Sequence, residues 1–75
     1  MGEVARVTEI SARSERSFED AIQIGIERAS QTLRHVSGAW VKEQKLAIEE
    51  GHIKSYQVDM LVTFVLDEGE GQQLA

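Results

Sequence analysis

Two side chains stand out as candidates for binding an aromatic ligand, Trp40 and Gln57. The sequence contains one Trp, and its indole is a flat, electron-rich surface on which an aromatic ring can stack. Gln57 lies among aliphatic residues and carries an amide that both donates and accepts hydrogen bonds, so it can pair with the edge of a heterocycle. We predict that both side chains point outward, away from the rest of the fold.

The residue types that support catalysis are absent or badly spaced. There is no Cys, which excludes thiolate metal sites, disulfides and cysteine nucleophiles. The only two histidines, His35 and His52, share neither a helix face nor a metal-ligand spacing, and we expect both to be exposed. No HExxH motif, glycine-rich phosphate loop or nucleophile elbow occurs. We therefore predict that the chain is not an enzyme and has no catalytic residues.

Carboxylates are plentiful in the second half of the chain, at Glu43, Glu49, Glu50, Asp59, Asp67, Glu68 and Glu70. Oxygen ligands of this type suit calcium, but the regular spacing of a calcium-binding loop is missing. A solvated acidic surface is the simpler interpretation. Around a symmetry axis, however, one carboxylate becomes a ring of several, so a low-affinity cation site between copies of the chain stays open as an alternative.

Size and charge narrow the function classes further. The 75 residues form a chain of 8.4 kDa, which suits one small domain. Eight Lys and Arg against thirteen Asp and Glu give a net charge of −5, which disfavours binding to nucleic acid. No apolar stretch approaches the roughly 20 residues that a membrane-spanning helix needs, and the N-terminus lacks the apolar run of a signal peptide. We expect a cytoplasmic protein without nucleic-acid or membrane partners.

Periodicity predicts a β-α-β-β order and an α+β fold. The predicted elements are a strand at residues 4–10, a polar connection at 11–16, a helix from the N-cap Ser17 to Leu33 or Arg34, and strands at 39–48 and 53–66. Gly51 lies in the short link between the last two strands, which should form an antiparallel hairpin. Residues 1–68 are predicted to form one domain, and residues 69–75 an acidic, disordered tail.

Two patterns in the helix and the second strand predict how these elements pack. Gly25 costs the helix roughly 1 kcal/mol relative to Ala, which predicts that another element packs closely against it. Simple alternation places Ala39 and Val41 toward the helix and the opposite parity outward, namely Trp40, Lys42, Gln44, Leu46 and Ile48.

The last strand is apolar on both faces. One parity forms an apolar row that a single helix can cover, made of Tyr56, Val58, Met60, Val62, Phe64 and Leu66. The other parity still carries Ile53, Leu61 and Val65. One helix cannot cover both faces of a sheet, so the second face is either exposed to water or packed against another subunit. We expect a homo-oligomer.

The chain resembles the dodecins, a family of small flavin-binding proteins. The resemblance is carried by Val7-Thr8-Glu9-Ile10, Ser14-Glu15-Arg16-Ser17-Phe18-Glu19-Asp20-Ala21, Ile26-Glu27-Arg28-Ala29, Thr32-Leu33-Arg34, Tyr56-Gln57-Val58 and Thr63-Phe64-Val65-Leu66. It implies a three-stranded antiparallel sheet that partly wraps one helix, with twelve copies assembled into a hollow shell.

The resemblance also implies a ligand. In flavin-binding dodecins, pairs of isoalloxazine rings lie between symmetry-related Trp residues, and a Gln side chain bonds the ring edge. By this resemblance the chain is a homododecamer that stores FMN or riboflavin and protects it from light without turnover. Trp40 would stack on the ring, Gln57 would orient it, and Lys45 would lie near the phosphate of FMN.

Three positions depart from the pattern of the flavin-binding members. Aligned without gaps between Arg34 and Gln57, the stacking Trp of the family falls at Gly38, two residues before Trp40. Lys45 and Val65 stand where some bacterial members carry Arg. Residues 38–44 resemble a branch of the family for which calcium has been proposed instead of flavin. The alternative prediction is therefore a shell without flavin, which binds calcium or another cation at subunit interfaces.

Overall fold

The computed structural model describes residues 2–66. It contains β1 (Ala5–Ser14), α1 (Phe18–Thr32), β2 (Val36–Glu49) and β3 (His52–Val65), which confirms the predicted order. Both β1 and β2 pair antiparallel with β3, so the strand order in the sheet is β1-β3-β2. The predicted tail and the domain boundary at residue 68 lie outside the described residues.

Helix α1 begins at the predicted cap. Ser17 has extended backbone angles, and its hydroxyl accepts a hydrogen bond of 2.9 Å from the backbone N–H of Asp20. Glu19 and Asp20 place negative charge in the first turn, where it opposes the helix dipole. The helix ends at Thr32, slightly earlier than predicted, and Leu33 is the C-cap, whose N–H donates to the carbonyl of Ala29.

Strand β1 is longer than its sequence suggests. The prediction that residues 11–16 form a polar connection is wrong for residues 11–14, which continue the strand. Ala12 and Ser14 are buried on the side of α1, whereas Ser11 and Arg13 bond to side chains of β3 on the opposite side. The alternation therefore persists in small and polar residues, where large apolar side chains do not mark it.

A stripe of small residues lets α1 lie close to the sheet. Ala21, Gly25 and Ala29 are the buried residues of the helix. A Cβ atom added to Gly25 would lie 2.6 Å from the Cε of Met60 and 3.0 Å from the Cβ of Ala12, so the predicted close packing at Gly25 is confirmed. The apolar row of β3 supplies the other side of this core, where Val58, Met60 and Val62 are fully buried.

The hairpin of β2 and β3 is formed as predicted. Each strand has 14 residues, and the turn has positive φ at Glu50 (53°) and Gly51 (78°). Two-residue hairpin turns of type I′ require positive φ at both central positions. Strand β2 starts at Val36, three residues before the predicted start, and β3 starts one residue early at His52.

A β-bulge at Lys42 interrupts the alternation of β2. Val41 pairs with Met60 and Glu43 pairs with the preceding residue of β3, Asp59, so Lys42 has no partner in the register. An extra residue shifts every later side chain to the other face. The predicted outward orientation is therefore wrong for Gln44 and Leu46, which follow the helix-side row of β3.

One copy of the chain leaves much apolar surface uncovered. No residue of β2 is buried, and only Val36 is partly covered. Exposed large apolar side chains occur in every strand and in the helix, at Val4, Val7, Ile24, Trp40, Val41, Leu46, Ile48, Ile53 and Leu66. Surfaces of this kind are typical of an interface with a further molecule. Within residues 2–66, the 15-residue α1 is too short and too polar to traverse a bilayer.

The packing at Gly25 can be tested by adding one methyl group. Gly25→Ala gains about 1 kcal/mol of helix propensity but overpacks the contact with Ala12 and Met60, which costs about 1–3 kcal/mol. We expect a net loss of stability and a lower Tm in thermal unfolding. Ser30→Ala, at an exposed position of the same helix, is the control and should be neutral or stabilising. Equal Tm values for the two variants would contradict the close approach.

Candidate ligand-binding face

The side of the sheet that points away from α1, here called the outer face, holds all three predicted site residues. Residues opposite one another in the register share a face, so the outer face can be described as successive rungs across β2, β3 and β1: Gly38–Thr63–Val7, Trp40–Leu61–Glu9, Glu43–Asp59–Ser11 and Lys45–Gln57–Arg13. The bulge at Lys42 is what brings Lys45 onto the face of Trp40.

Trp40 is the most exposed large apolar residue of the described chain. Its side chain is 71% exposed, and it shares a rung with Leu61 and Glu9. The neighbouring Lys42 reaches across β3, where its Nζ lies 3.3 Å from Oε2 of Glu9. Both side chains of this ion pair are about half exposed, so the pair adds little stability. The indole is thus exposed to solvent and takes no part in the core of one copy.

Gln57 is held by hydrogen bonds on both sides of its amide. Its Oε1 accepts from Nη2 of Arg13 at 3.1 Å, and its Nε2 donates to Oδ1 of Asp59 at 3.1 Å. A primary amide has two N–H donors and an oxygen with two lone pairs. After these two bonds, one N–H and one lone pair remain, so the side chain can still donate one hydrogen bond and accept one.

Asp59 is fixed as a carboxylate. The hydroxyl of Ser11 donates to its Oδ1 at 2.7 Å, and this bond, followed by the bond from Gln57, lowers the pKa of Asp59 below its ordinary value. The positive charges of Lys42 and Lys45 lower the pKa further. The ionised side chain can only accept hydrogen bonds, which suits its contact with the Gln57 N–H.

Lys45 lines a groove that is rich in positive charge. The groove has a volume of about 240 Å³ and is lined by Arg13, Lys45, Ala47, Lys54, Ser55 and Gln57. Lys54 also lies 3.8 Å from Glu49 in a loose and exposed ion pair. Three cationic side chains around one concavity favour an anionic group such as a phosphate.

The three predicted site residues share a face, but Trp40 lies apart from Lys45 and Gln57. Trp40 pairs with Leu61, whereas Lys45 pairs with Gln57, so the two rungs are four residues apart along β3, about 13 Å at roughly 3.3 Å per residue. The larger groove of about 690 Å³ between α1 and the edge of β1 contains neither Trp40 nor Gln57. The chemistry of the predicted site therefore lies on the outer face.

Sequence reasoning missed Arg13 and Asp59 as partners of Gln57. Arg13 becomes visible only when β1 is extended to Ser14, because that extension places it opposite Gln57, whereas Asp59 lies two residues after Gln57 on the same face of β3. The continued alternation of Ala12 and Ser14 in the sequence is the signal that could have found Arg13.

Among residues 2–66 the candidate metal ligands do not converge within one copy, and Asp67, Glu68 and Glu70 lie outside the described residues. His35 and His52 are exposed, as expected. Among residues 2–66 no three or more His, Asp or Glu side chains are grouped so that they could hold one metal ion. Glu43 and Asp59 are opposite each other on the outer face, but a cation site built on them needs oxygen ligands from other copies.

Comparison with known proteins agrees with this architecture. The family model of the dodecins matches residues 4–67. The chain belongs to the dodecin family. It is 43% identical to the dodecin of Thermus thermophilus over 68 residues, which are 91% of this chain and 99% of that protein. The resemblance seen in the sequence and the predicted α+β fold are thereby confirmed.

Two solved structures of dodecins resemble the chain to different degrees. The structure of the dodecin from Streptomyces davaonensis has a TM-score of 0.86 at 40% identity, covering 91% of this chain and 100% of that one. The crystal structure of the calcium dodecin from Mycobacterium tuberculosis has a TM-score of 0.74 at 29% identity, covering 87% of this chain and 93% of that one.

The hydrogen bonds to Asp59 predict a pH dependence of stability. The pKa of Asp59 is lower in the folded chain than in the unfolded chain. Its contribution to the free energy of unfolding is therefore complete above the unfolded pKa of about 3.9, and it is lost as the pH falls through the folded pKa. Between about pH 5 and pH 3, the stability of the wild type should fall more steeply than that of Asp59→Asn. Thermal unfolding at several pH values measures both slopes.

The control for this experiment removes a carboxylate elsewhere. Glu15→Gln, at an exposed position outside the outer face, should keep the steep slope of the wild type. Parallel slopes for Asp59→Asn and the wild type would contradict the assignment of this pH dependence to Asp59.

Proposed function

We propose that the chain binds flavin, as FMN or riboflavin, stores it and protects it from light, without catalytic turnover. The observation that carries this proposal is the indole of Trp40, 71% exposed on the sheet face that also holds Gln57 and Lys45. Family membership supports the same function. We also propose a cytoplasmic location, as expected from the sequence.

The exposed indole suits a planar, electron-poor ring. Offset stacking of two aromatic systems is favourable beyond the area that it buries, by about 0.5–1.5 kcal/mol. A ring stacked on Trp40 removes from water a side chain that one copy cannot cover. The indole can also quench the excited state of the bound flavin by donating an electron that then returns to the indole, so that both groups are back in their ground states before the flavin damages its surroundings.

Gln57 and Lys45 suit the remaining parts of the ligand. The free N–H and the free lone pair of Gln57 match the donor and acceptor groups at the pyrimidine edge of the isoalloxazine ring. The groove beside Lys45 has the charge to accept the phosphate of FMN. Because Trp40 and Gln57 are far apart along one copy, we place the ring between copies, where Trp40 of one copy and Gln57 of another meet it.

Assembly of several copies is part of this proposal. Strand β2 is exposed along its length, and the outer face carries apolar residues next to its polar rungs. We propose that twelve copies form a homododecamer, as the family resemblance implies, and that association covers β2 and the exposed aliphatic side chains. Burial of this surface supplies stability that a domain of this size lacks alone.

Titration of flavin fluorescence tests the ligand directly. We expect riboflavin and FMN to lose their emission when metal-free protein is added at micromolar concentration, because the stacked indole quenches the ring. The groove beside Lys45 predicts tighter binding of FMN than of riboflavin, and an advantage that shrinks as salt is added. Unchanged emission of both flavins would exclude the proposed function.

Substitution of Trp40 separates stacking from packing. Trp40→Ala should abolish quenching while size-exclusion chromatography still finds the assembly, and Trp40→Phe should keep part of the binding through its aromatic ring. Leu46→Ala is the control and should leave quenching unchanged, because Leu46 is an exposed apolar residue aligned with the helix-side row of β3 and not with Trp40. If Trp40→Ala loosens the assembly and leaves quenching unchanged, the indole is interface packing.

A calcium-binding shell without flavin is the second candidate function. It is favoured by the likeness to a calcium dodecin and by the opposed carboxylates of Glu43 and Asp59. This function predicts a colourless protein whose Tm rises with added calcium and falls with a chelator. Glu43→Gln should remove that response, whereas Glu15→Gln should leave it in place. A Tm that is insensitive to calcium and chelator would exclude this candidate.

A further inference from the structure

We infer that Asp59 and Arg13 are positioning residues, which hold the Gln57 amide in a single orientation and so fix the order of hydrogen-bonding groups that it offers to the flavin ring. This inference rests on the proposed function. It concerns two residues outside the predicted site.

A Gln side chain without fixed neighbours presents two opposite patterns. Its terminal torsion is broad and roughly two-fold, so the N–H₂ group and the oxygen exchange places at low cost. The ring edge of a flavin needs a donor and an acceptor in a set order. An amide that turns freely must therefore be ordered during binding, and this ordering reduces affinity.

The two neighbours of Gln57 permit only one of these orientations. The ionised Asp59 has no proton to donate, so it can only face Nε2, and Arg13 has no acceptor, so it can only face Oε1. A turned amide would set its oxygen against the carboxylate and its N–H₂ group against the guanidinium. Both contacts would then be repulsive, so the two neighbours act in the same direction.

The pair of hydrogen bonds from Arg13 and to Asp59 that orients the Gln57 amide, here called the lock, is itself held in place by strand pairing. Arg13 is directly opposite Gln57, and Ser11 is directly opposite Asp59. The hydroxyl of Ser11 donates to the same carboxylate oxygen, Oδ1 of Asp59, that accepts from Gln57. The four side chains thus form one hydrogen-bonded chain across β1 and β3, which keeps the amide in place before a ligand arrives.

A double-mutant cycle between Asp59 and Gln57 tests whether Asp59 acts through the amide. The probe is riboflavin, which has no phosphate, so a change of charge near Lys45 has little direct effect on it. Asp59→Leu, which keeps the branched shape at Cγ but cannot accept a hydrogen bond, should weaken riboflavin binding about tenfold. In the Gln57→Ala background, the same substitution should change the affinity by less than about twofold.

Two matched variants distinguish the lock from charge and from general stability. Asp59→Asn removes the charge and keeps an oxygen that can accept from Gln57, but its N–H₂ group can also donate to a turned amide, so it should weaken riboflavin binding by less than Asp59→Leu does. Glu15→Gln removes a carboxylate outside the outer face and should stay within about twofold of the wild type. Size-exclusion chromatography checks that each variant assembles as the wild type does.

A second variant, at Arg13, tests the other hydrogen bond of the lock. If Asp59→Leu does not assemble, Arg13→Met removes the donor to Oε1, and the same cycle with Gln57→Ala applies. Equal losses of affinity with and without Gln57 overturn the inference, as does a loss in Asp59→Asn as large as in Asp59→Leu. These results leave flavin binding by the wild type intact, whereas the absence of quenching by the wild type overturns the proposed function itself.

Discussion

The close approach of α1 to the sheet at Gly25 is the contact on which the rest of the structure depends. Gly25 forms a stripe of small residues with Ala21 and Ala29, and these side chains are so short that the helix lies directly against Met60 and Ala12. One helix held at this distance covers the side of β1 and β3 that carries the apolar row, and it leaves the outer face and β2 without cover. The features that support ligand binding and assembly are consequences of this one-sided core.

The outer face gains its chemistry from two departures from a regular sheet. The bulge at Lys42 reverses which side chains of β2 face outward after it, so that Lys45 shares a face with Trp40. The polar continuation of β1 brings Arg13 beside Gln57. Bulges are common next to functional sites because they redirect a side chain without breaking the sheet. Here the result is an exposed indole, an oriented amide and a cationic groove on one surface.

Several features of the fold could be read from local patterns. The hydroxyl of Ser17 before a run of helix-favouring residues marks the start of α1, and the interruption at Gly25 marks a close contact. Each of these depends on residues close together in the chain. The end of β1 was missed because its inward residues, Ala12 and Ser14, are too small to give a strong apolar period. The bulge was missed because no residue type in the strand marks Lys42 as the unpaired position.

By itself, the amino-acid sequence determined the order of the elements, the apolar row of β3 and membership of the dodecin family, because propensity and periodicity act over a few residues at a time. Only the tertiary structure decided which face Lys45 occupies and what holds the amide of Gln57. Those outcomes depend on the register between strands, in which Ser11 meets a partner 48 positions away and Arg13 a partner 44 positions away. A shift of one residue in that register moves every later side chain to the opposite face.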